Sequence, residues 1–312
     1  MKEQSPLVIQ DRNGPRPKIT RSFDNVDNLA FSRESNGNFR IEFGSGVYSG
    51  QQFPELHKGK RFILNFPTEF QDVNIKMLET IGFDSQKWFV ALHIRGLSRV
   101  NQDQWQSRDA NILNYRKFCE RISELGGQVV RMGSPDFAKL PIDFNAIDYA
   151  WSDVRSPMLD CWLWSNCRWW TGNANGASIA AFAFGATRLI SDQWYWDNLG
   201  PENDFHMPRV LANLENNQIL SIEETIQHKL SRNMSKESFR RYGLHLQDQS
   251  PEDLANAADD LFAATNSQSQ SRIGATLTPI EQAFGSQLNN IDSKQVLQIP
   301  SSYASLLSEI FL

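Results

Sequence analysis

The sequence predicts an α/β fold in which a parallel, doubly wound sheet carries helices on both faces. Three observations carry that prediction. Apolar runs of strand length alternate with helix-length segments from about residue 85 to 192. Trp88–Ile94 (WFVALHI) is almost continuously apolar, as a strand covered on both faces must be. Gly126-Gly127, Gly133-Ser134-Pro135 and Asn175-Gly176 punctuate the runs where the chain has to turn.

Taken in order, residues 1–20 mix Pro, Lys, Arg and Asn without periodicity and read as a loose tail. From Ser22 to His57, short Gly- and Asn-rich pieces suggest hairpins or irregular structure. Phe70–Ile81 has helical spacing and stops at Gly82. After the Trp88–Ile94 strand, a helix runs from about Ala110 to Leu125, with Gly126 and Gly127 placed to cap it. Gln128–Met132 and the shorter Ala146–Ala150 follow as strands. Pro157 opens a helix to Asn166, because proline is tolerated in a first turn. Arg168–Thr171 is a strand, Gly176–Phe184 a small-residue helix and Thr187–Ile190 another strand. Beyond that the chain is expected to become helical. Helix starts are signalled at Ser221 with Glu224, at Ser250-Pro251 with Asp253, and at Thr278-Pro279 with Glu281. Asn266–Arg272 reads as a mobile link, and residues 266–312 as a helical extension.

At 312 residues the chain buries roughly three quarters of its unfolded surface, so it needs neither disulfides nor a structural metal. A net charge of −5 argues against broad nucleic-acid binding, which requires a basic face. The three cysteines form no CxxC pair, so no zinc site or disulfide framework is expected. The opening residues lack the apolar core of a signal peptide, and no window is long and apolar enough to span a bilayer. A cytoplasmic location is expected, or a peripheral one at the inner membrane. There is no HExxH or GxSxG motif, and no two aspartates are separated by one residue, the spacing by which many glycosyltransferases hold a divalent metal.

In an open α/β sheet, ligands bind beyond the carboxyl ends of the strands, and that rule selects four places. His93 and Arg95 stand two apart at the end of a buried strand and can project together, the arginine offering a donor fork suited to a diphosphate. The plain alternative is a packed histidine and a surface ion-pair arginine. Thr171-Gly172-Asn173-Ala174-Asn175-Gly176-Ala177-Ser178 joins a strand to a small-residue helix whose N-terminus can receive an anion; alternatively it is an ordinary turn. Arg131 and Gly133 end a third strand, where the glycine would let a base or ribose lie against backbone, or simply turn the chain. Asp160 could bind a ribose or orient Arg95, or be a helix-surface carboxylate. Trp162, Trp164, Trp169 and Trp170 read as core rather than as a sugar platform.

At these residues the sequence resembles a family of bacterial glycosyltransferases related in outline to the fucosyltransferase-like group of the GT-B fold. The resemblance lies in Phe89–Arg95, Arg108–Tyr115, Gly127–Gly133, Ile147–Ala150, Arg155–Asp160 and Cys167–Asn173, in that order, and extends over about residues 85–312. The Trp169-Trp170 and Asn173-Ala174-Asn175 spellings are bulkier and less Ser-rich than the family's. The resemblance implies a Rossmann-like donor domain, residues 85–265, that binds a nucleoside-diphosphate sugar. It also implies metal-independent transfer, inverting by analogy, to a glycan or lipid-linked acceptor. Arg95 would stabilise the leaving group. His93, Arg95, Arg131, Gly133, Tyr149, Asp160, Thr171, Gly172, Asn173, Ala174, Asn175, Gly176 and Ser178 would form the donor site, with no metal, no further cofactor and no base assigned. Residues 21–84 are short for an acceptor domain: either that domain is reduced, or the chain is shortened and a partner, a homo-oligomer or a separate subunit, supplies what is missing. An inactive nucleotide-sugar-binding subunit, acting in assembly or regulation, is the rival expectation.

Overall fold

A computed structural model of the chain describes residues 29–33, 39–43, 64–96, 109–173, 175–193, 204–221, 224–225 and 236–266. The chain divides into two compact units, Met1–Arg61 with Asn290–Asp292, and Phe62–Asn289 with Ser293–Leu312. In the first, β1 (Leu29–Arg33) and β2 (Phe39–Phe43) pair antiparallel, with Leu29 opposite Phe43. The predicted tail and the helix start at Thr278-Pro279 lie outside the described residues, as does the predicted link past Asn266.

The second unit begins with a 3-10 turn, Thr68–Phe70, that leads into α1 (Gln71–Glu79). Gly82, at φ +91°, ends this segment in a conformation that an L side chain rarely adopts. Then come β3 (Phe89–His93), α2 (Arg116–Glu124), β4 (Gln128–Arg131), α3 (Pro157–Asn166), β5 (Trp169–Gly172), α4 (Gly176–Ala183), β6 (Thr187–Gln193) and β7 (Asp204–Pro208). The five strands form one parallel sheet in the order β4-β3-β5-β6-β7. β4 lies on one side of β3 and every later strand on the other. Parallel crossovers are right-handed, so this reversal of direction moves the connecting helices from one face to the other.

The two cores follow from strand alternation. Val90, Leu92 and Trp169 point to one face, where they meet Phe118 and Ile122 of α2 and Leu254 and Leu261 of α6 (Pro251–Asn266). Phe89, Ala91 and Trp170 point to the other, against Leu159 and Leu163 of α3, Ala181 of α4 and Leu78 of α1. The expectation of a parallel sheet with helices on both faces therefore holds. Trp162, Trp169 and Trp170 are buried core, and Phe89 stacks on Trp162 with ring centroids 5.8 Å apart.

Three expectations need correction. The helix predicted over residues 110–125 begins as a 3-10 turn, Ile112–Tyr115, capped by Asn111, before α2 proper. Residues 146–150 form no full strand: Ile147 makes a single parallel bridge to Val130, and Tyr149–Trp151 is a 3-10 turn. Beyond residue 192 the chain is not only helical. It supplies β7 and a small antiparallel pair, β8 (Leu211–Asn213) and β9 (Leu244–Leu246), around α5 (Lys236–Arg241). Polar residues disguise β7. Its Asp204 is buried in an ion pair with Arg188 of β6, and His206 is buried beside that arginine. The two remaining strands have three residues each, too few to show a period. The helix starts at Ser221 and Ser250 carry the predicted caps: Ser221 Oγ accepts from the Glu224 N–H at 3.2 Å and Ser250 Oγ from the Asp253 N–H at 3.0 Å. Among the described residues, no helix is long and apolar enough to cross a membrane.

Two glycines test how tightly the sheet edge is packed. A Cβ on Gly172 would stand 3.0 Å from the His93 carbonyl carbon, closer still to its oxygen, and 2.9 Å from the Trp170 ring; a Cβ on Gly176 would meet nothing within 4 Å. Gly172→Ala is expected to cost about 1–3 kcal/mol or more in urea unfolding, while Gly176→Ala stays within about 1 kcal/mol of the parent. Equal midpoints for the two variants would contradict this packing.

Candidate functional site

The strand order fixes where a ligand crevice can form. β3 and β5 are neighbours, with His93 opposite Gly172, and their onward connections lead to opposite faces of the sheet. The loops after them therefore part at their carboxyl ends, the switch point at which open α/β sheets bind ligands. Gly172 lets the two strand ends approach this closely.

Asn173 ties the parted loops together. Its Oδ1 accepts from the Arg95 N–H at 2.8 Å, and its Nδ2 donates to the Arg95 carbonyl at 3.0 Å. The Ala110 N–H shares that carbonyl at 2.9 Å. Asn175 then starts α4. Its Oδ1 accepts from the Ala177 N–H at 2.8 Å and the Ser178 N–H at 3.3 Å, and Ser178 Oγ returns a bond to the Asn175 carbonyl at 2.7 Å. This is an N-cap with a reciprocal partner three residues on. Two of the N–H donors that the sequence offers to an anion are thus held by an internal amide oxygen.

β3 ends at His93, Ile94 is still buried with Val90 and Leu92, and the His93 and Arg95 side chains take different partners. The His93 imidazole places Nδ1 3.0 Å from Asn175 Nδ2, within hydrogen-bond distance. Burial pushes its pKa down to about 4; a bond to its own backbone works against this, and the charges of Arg131 and Arg155 add to it. The Arg95 guanidinium is partly exposed and lies 3.2 Å from the Asp109 carboxylate, ahead of α2. Gly133 turns the chain beyond β4 at φ +134°, and a Cβ on it would stand 3.7 Å from His93 Nε2.

The remaining predicted residues fall around this edge. Arg131 is buried, donating to Asp148 at 2.8 Å and to the Ala138 carbonyl at 3.1 Å, while its Nε has no hydrogen-bond partner. It lines a cleft of about 200 Å³ with Ile94, Asp109, Ile112, Phe137 and Asp248. Thr171 is fully buried and its hydroxyl has no partner. Tyr149 is enclosed in the core, its hydroxyl donating to the Ser156 carbonyl at 3.1 Å and accepting from the Ser156 N–H at 3.0 Å. It reaches a ligand only through what it positions. Asp160 is half-buried in the first turn of α3, and burial raises its carboxyl pKa above the ordinary value. Ala174 lies outside the described residues.

Sequence reasoning missed a second cluster at the carboxyl ends of β6 and β7. Fully buried Arg209 donates to Asp192 at 3.2 Å and to the Asp109 carbonyl at 2.7 Å, and lies 2.7 Å from Asp248. Tyr115 donates to the other Asp192 oxygen at 2.5 Å. Asp192 sits at a register shift of β6 with φ +53°, an uncommon conformation for a residue other than glycine. The one sequence clue is Ser191-Asp192 directly after the predicted strand; Arg209 and Asp248 lie outside every motif. Among the described residues, no three His, Cys, Asp or Glu side chains gather as a metal site would require. No family model, curated protein or solved structure matches this chain.

If Asn173 holds the loops, Asn173→Ala is expected to lower stability by about 1–3 kcal/mol, because it leaves the Arg95 N–H without its acceptor. Asn173→Asp keeps that acceptor and should fall between the two. Unchanged urea midpoints in both variants would contradict the clasp.

Proposed function

We propose that this chain is a GT-B-type, metal-independent glycosyltransferase, inverting by analogy, which moves a sugar from a nucleoside diphosphate to a glycan or lipid-linked acceptor. One observation supports this reading above the others. The two loops whose residues suit an anion, after β3 and after β5, meet at the single reversal of strand order and are clasped to each other by Asn173. The ordered resemblance of residues 85–312 to bacterial glycosyltransferases supplies the reaction class.

In this reading the diphosphate lies across the parted strand ends. Arg95 exchanges the Asp109 carboxylate for phosphate oxygens and stabilises the charge that grows on the leaving group. His93 and the α4 start from Asn175 to Ser178 face the diphosphate, and the Gly133 turn leaves backbone open to the ribose. Arg131 and Thr171 border the donor, while Tyr149 acts through the Asp160 segment. The rival reading, an inactive nucleotide-sugar-binding subunit, is favoured by the internal pairing already described. Asp109 holds Arg95, and the Asn175 side chain holds the Ala177 and Ser178 N–H groups.

Slow hydrolysis of GDP-, UDP- and dTDP-sugars separates the two readings, because release of nucleoside diphosphate needs a working leaving-group site. Release is expected for one donor and should persist in chelator. Arg95→Ala is expected to lower it on the order of a hundredfold or more with little change in melting temperature. Donor binding without release supports the inactive subunit; a parental rate in Arg95→Ala overturns the role of that arginine.

A further inference from the structure

We propose that Asn175 is a positioning residue that fixes the ring proton of His93 on Nε2, so that His93 meets a ligand as a hydrogen-bond donor and not as a base. The inference rests on the reading of this edge as the donor site, but its first half concerns the protein alone.

The orientation of the Asn175 amide is determined three times over by contacts other than that with His93. On one side, Oδ1 accepts from the backbone N–H groups of Ala177 and Ser178. On the other, Nδ2 donates to the Asn173 carbonyl at 2.7 Å and faces His93 Nδ1 at 3.0 Å. Turning the amide over would set its NH2 against two N–H groups and its oxygen against a carbonyl. The group facing Nδ1 is therefore a donor, and Nδ1 must accept. A neutral imidazole that accepts at Nδ1 carries its proton on Nε2. The competing tautomer, which would donate from Nδ1 to the backbone of His93 itself, sets one N–H against another.

Burial, and then the charges around the ring, keep it neutral. Arg131 acts on it from β4 and Arg155 from the turn before α3, and both disfavour an imidazolium. Asp148 is taken up by Arg131, and Asp160 interacts with Tyr149 and Arg155. Nε2 lies on the side of the Gly133 turn, which carries no side chain to stand against it. The ligand atom that meets it must be an acceptor, such as a phosphate oxygen of the donor. One asparagine thus couples the α4 cap to the hydrogen-bonding character of the adjacent strand end.

Nitrogen-15 NMR of the histidine rings, with His93→Gln used for assignment, tests this. In the parent protein, His93 is expected to show a protonated Nε2 and an unprotonated Nδ1 from about pH 5 to 8. Asn175→Asp keeps a good N-cap but replaces the donor with a carboxylate, so Nδ1 of His93 should become protonated. A proton on Nδ1 in the parent, or an Asn175→Asp protein whose His93 Nδ1 stays unprotonated, overturns the proposal. GDP, UDP and dTDP are then added to the parent. A shift confined to Nε2 supports the donor role, whereas an Nε2 signal unmoved by any of the three overturns that role. In the last case the tautomer stands and the donor-site reading fails, so the two failures are distinguishable.

Discussion

The closeness of β3 and β5 at their carboxyl ends is the constraint on which the rest of this edge depends. Gly172 lies against the His93 carbonyl with no room for a Cβ, so the strands run together to their last residues before their loops part. That junction puts Asn173 within reach of both polar backbone groups of Arg95, and Asn175 within reach of His93 while it caps α4. A strand end, a loop arginine and a helix start are thereby held by two asparagine side chains. A longer residue in place of Gly172 would disturb all three at once.

The sheet as a whole carries an unusual load of buried charge. Arg131, Arg188 and Arg209 are each almost fully enclosed, and each is paired with a carboxylate: Asp148, Asp204 and Asp192. Each arginine also donates to at least one backbone carbonyl, of Ala138, Ser178 and Asp109 respectively. Such pairs contribute little net stability relative to well-packed apolar residues, but removing one partner alone costs about 3–5 kcal/mol. Their effect here is geometric. Arg188 ties the first turn of α4 to β6 and β7, and Arg209 ties the segment before α2 to the ends of β6 and β7. The switch point therefore sits in a frame of directional contacts, and Arg95, more exposed than these three, is the arginine best placed to exchange partners.

The parts of the fold legible in the sequence are those governed by burial on both faces. Trp88–Ile94, Gln128–Met132 and Arg168–Thr171 appear as strands because each holds a short apolar run that helices cover on both faces of the sheet, Gln128–Met132 as its edge strand. The helix starts at Pro157, Ser221 and Ser250 were legible because a cap is a local bond between residues three apart. β7 was not, since Asp204 is paired with Arg188, 16 residues away, and His206 is buried beside that arginine, an arrangement that no periodicity reveals. In the site, the His93 and Asn173–Ser178 segments were legible from their strand-end positions. Their bonding was not. An Asn173 clasp over 78 residues, the Arg209 cluster and the pairing of Arg95 with Asp109 depend on tertiary placement.

A thermal-shift panel of GDP, UDP, dTDP and CMP and their common sugar conjugates, with and without magnesium, tests the central claim most directly. A ligand that binds only the native state at a hundredfold excess over its dissociation constant adds about 2.7 kcal/mol of stability. The account predicts a clear shift with one nucleoside diphosphate and its sugar conjugate, unchanged by magnesium. No shift with any member of the panel, or a shift only when magnesium is present, would contradict it.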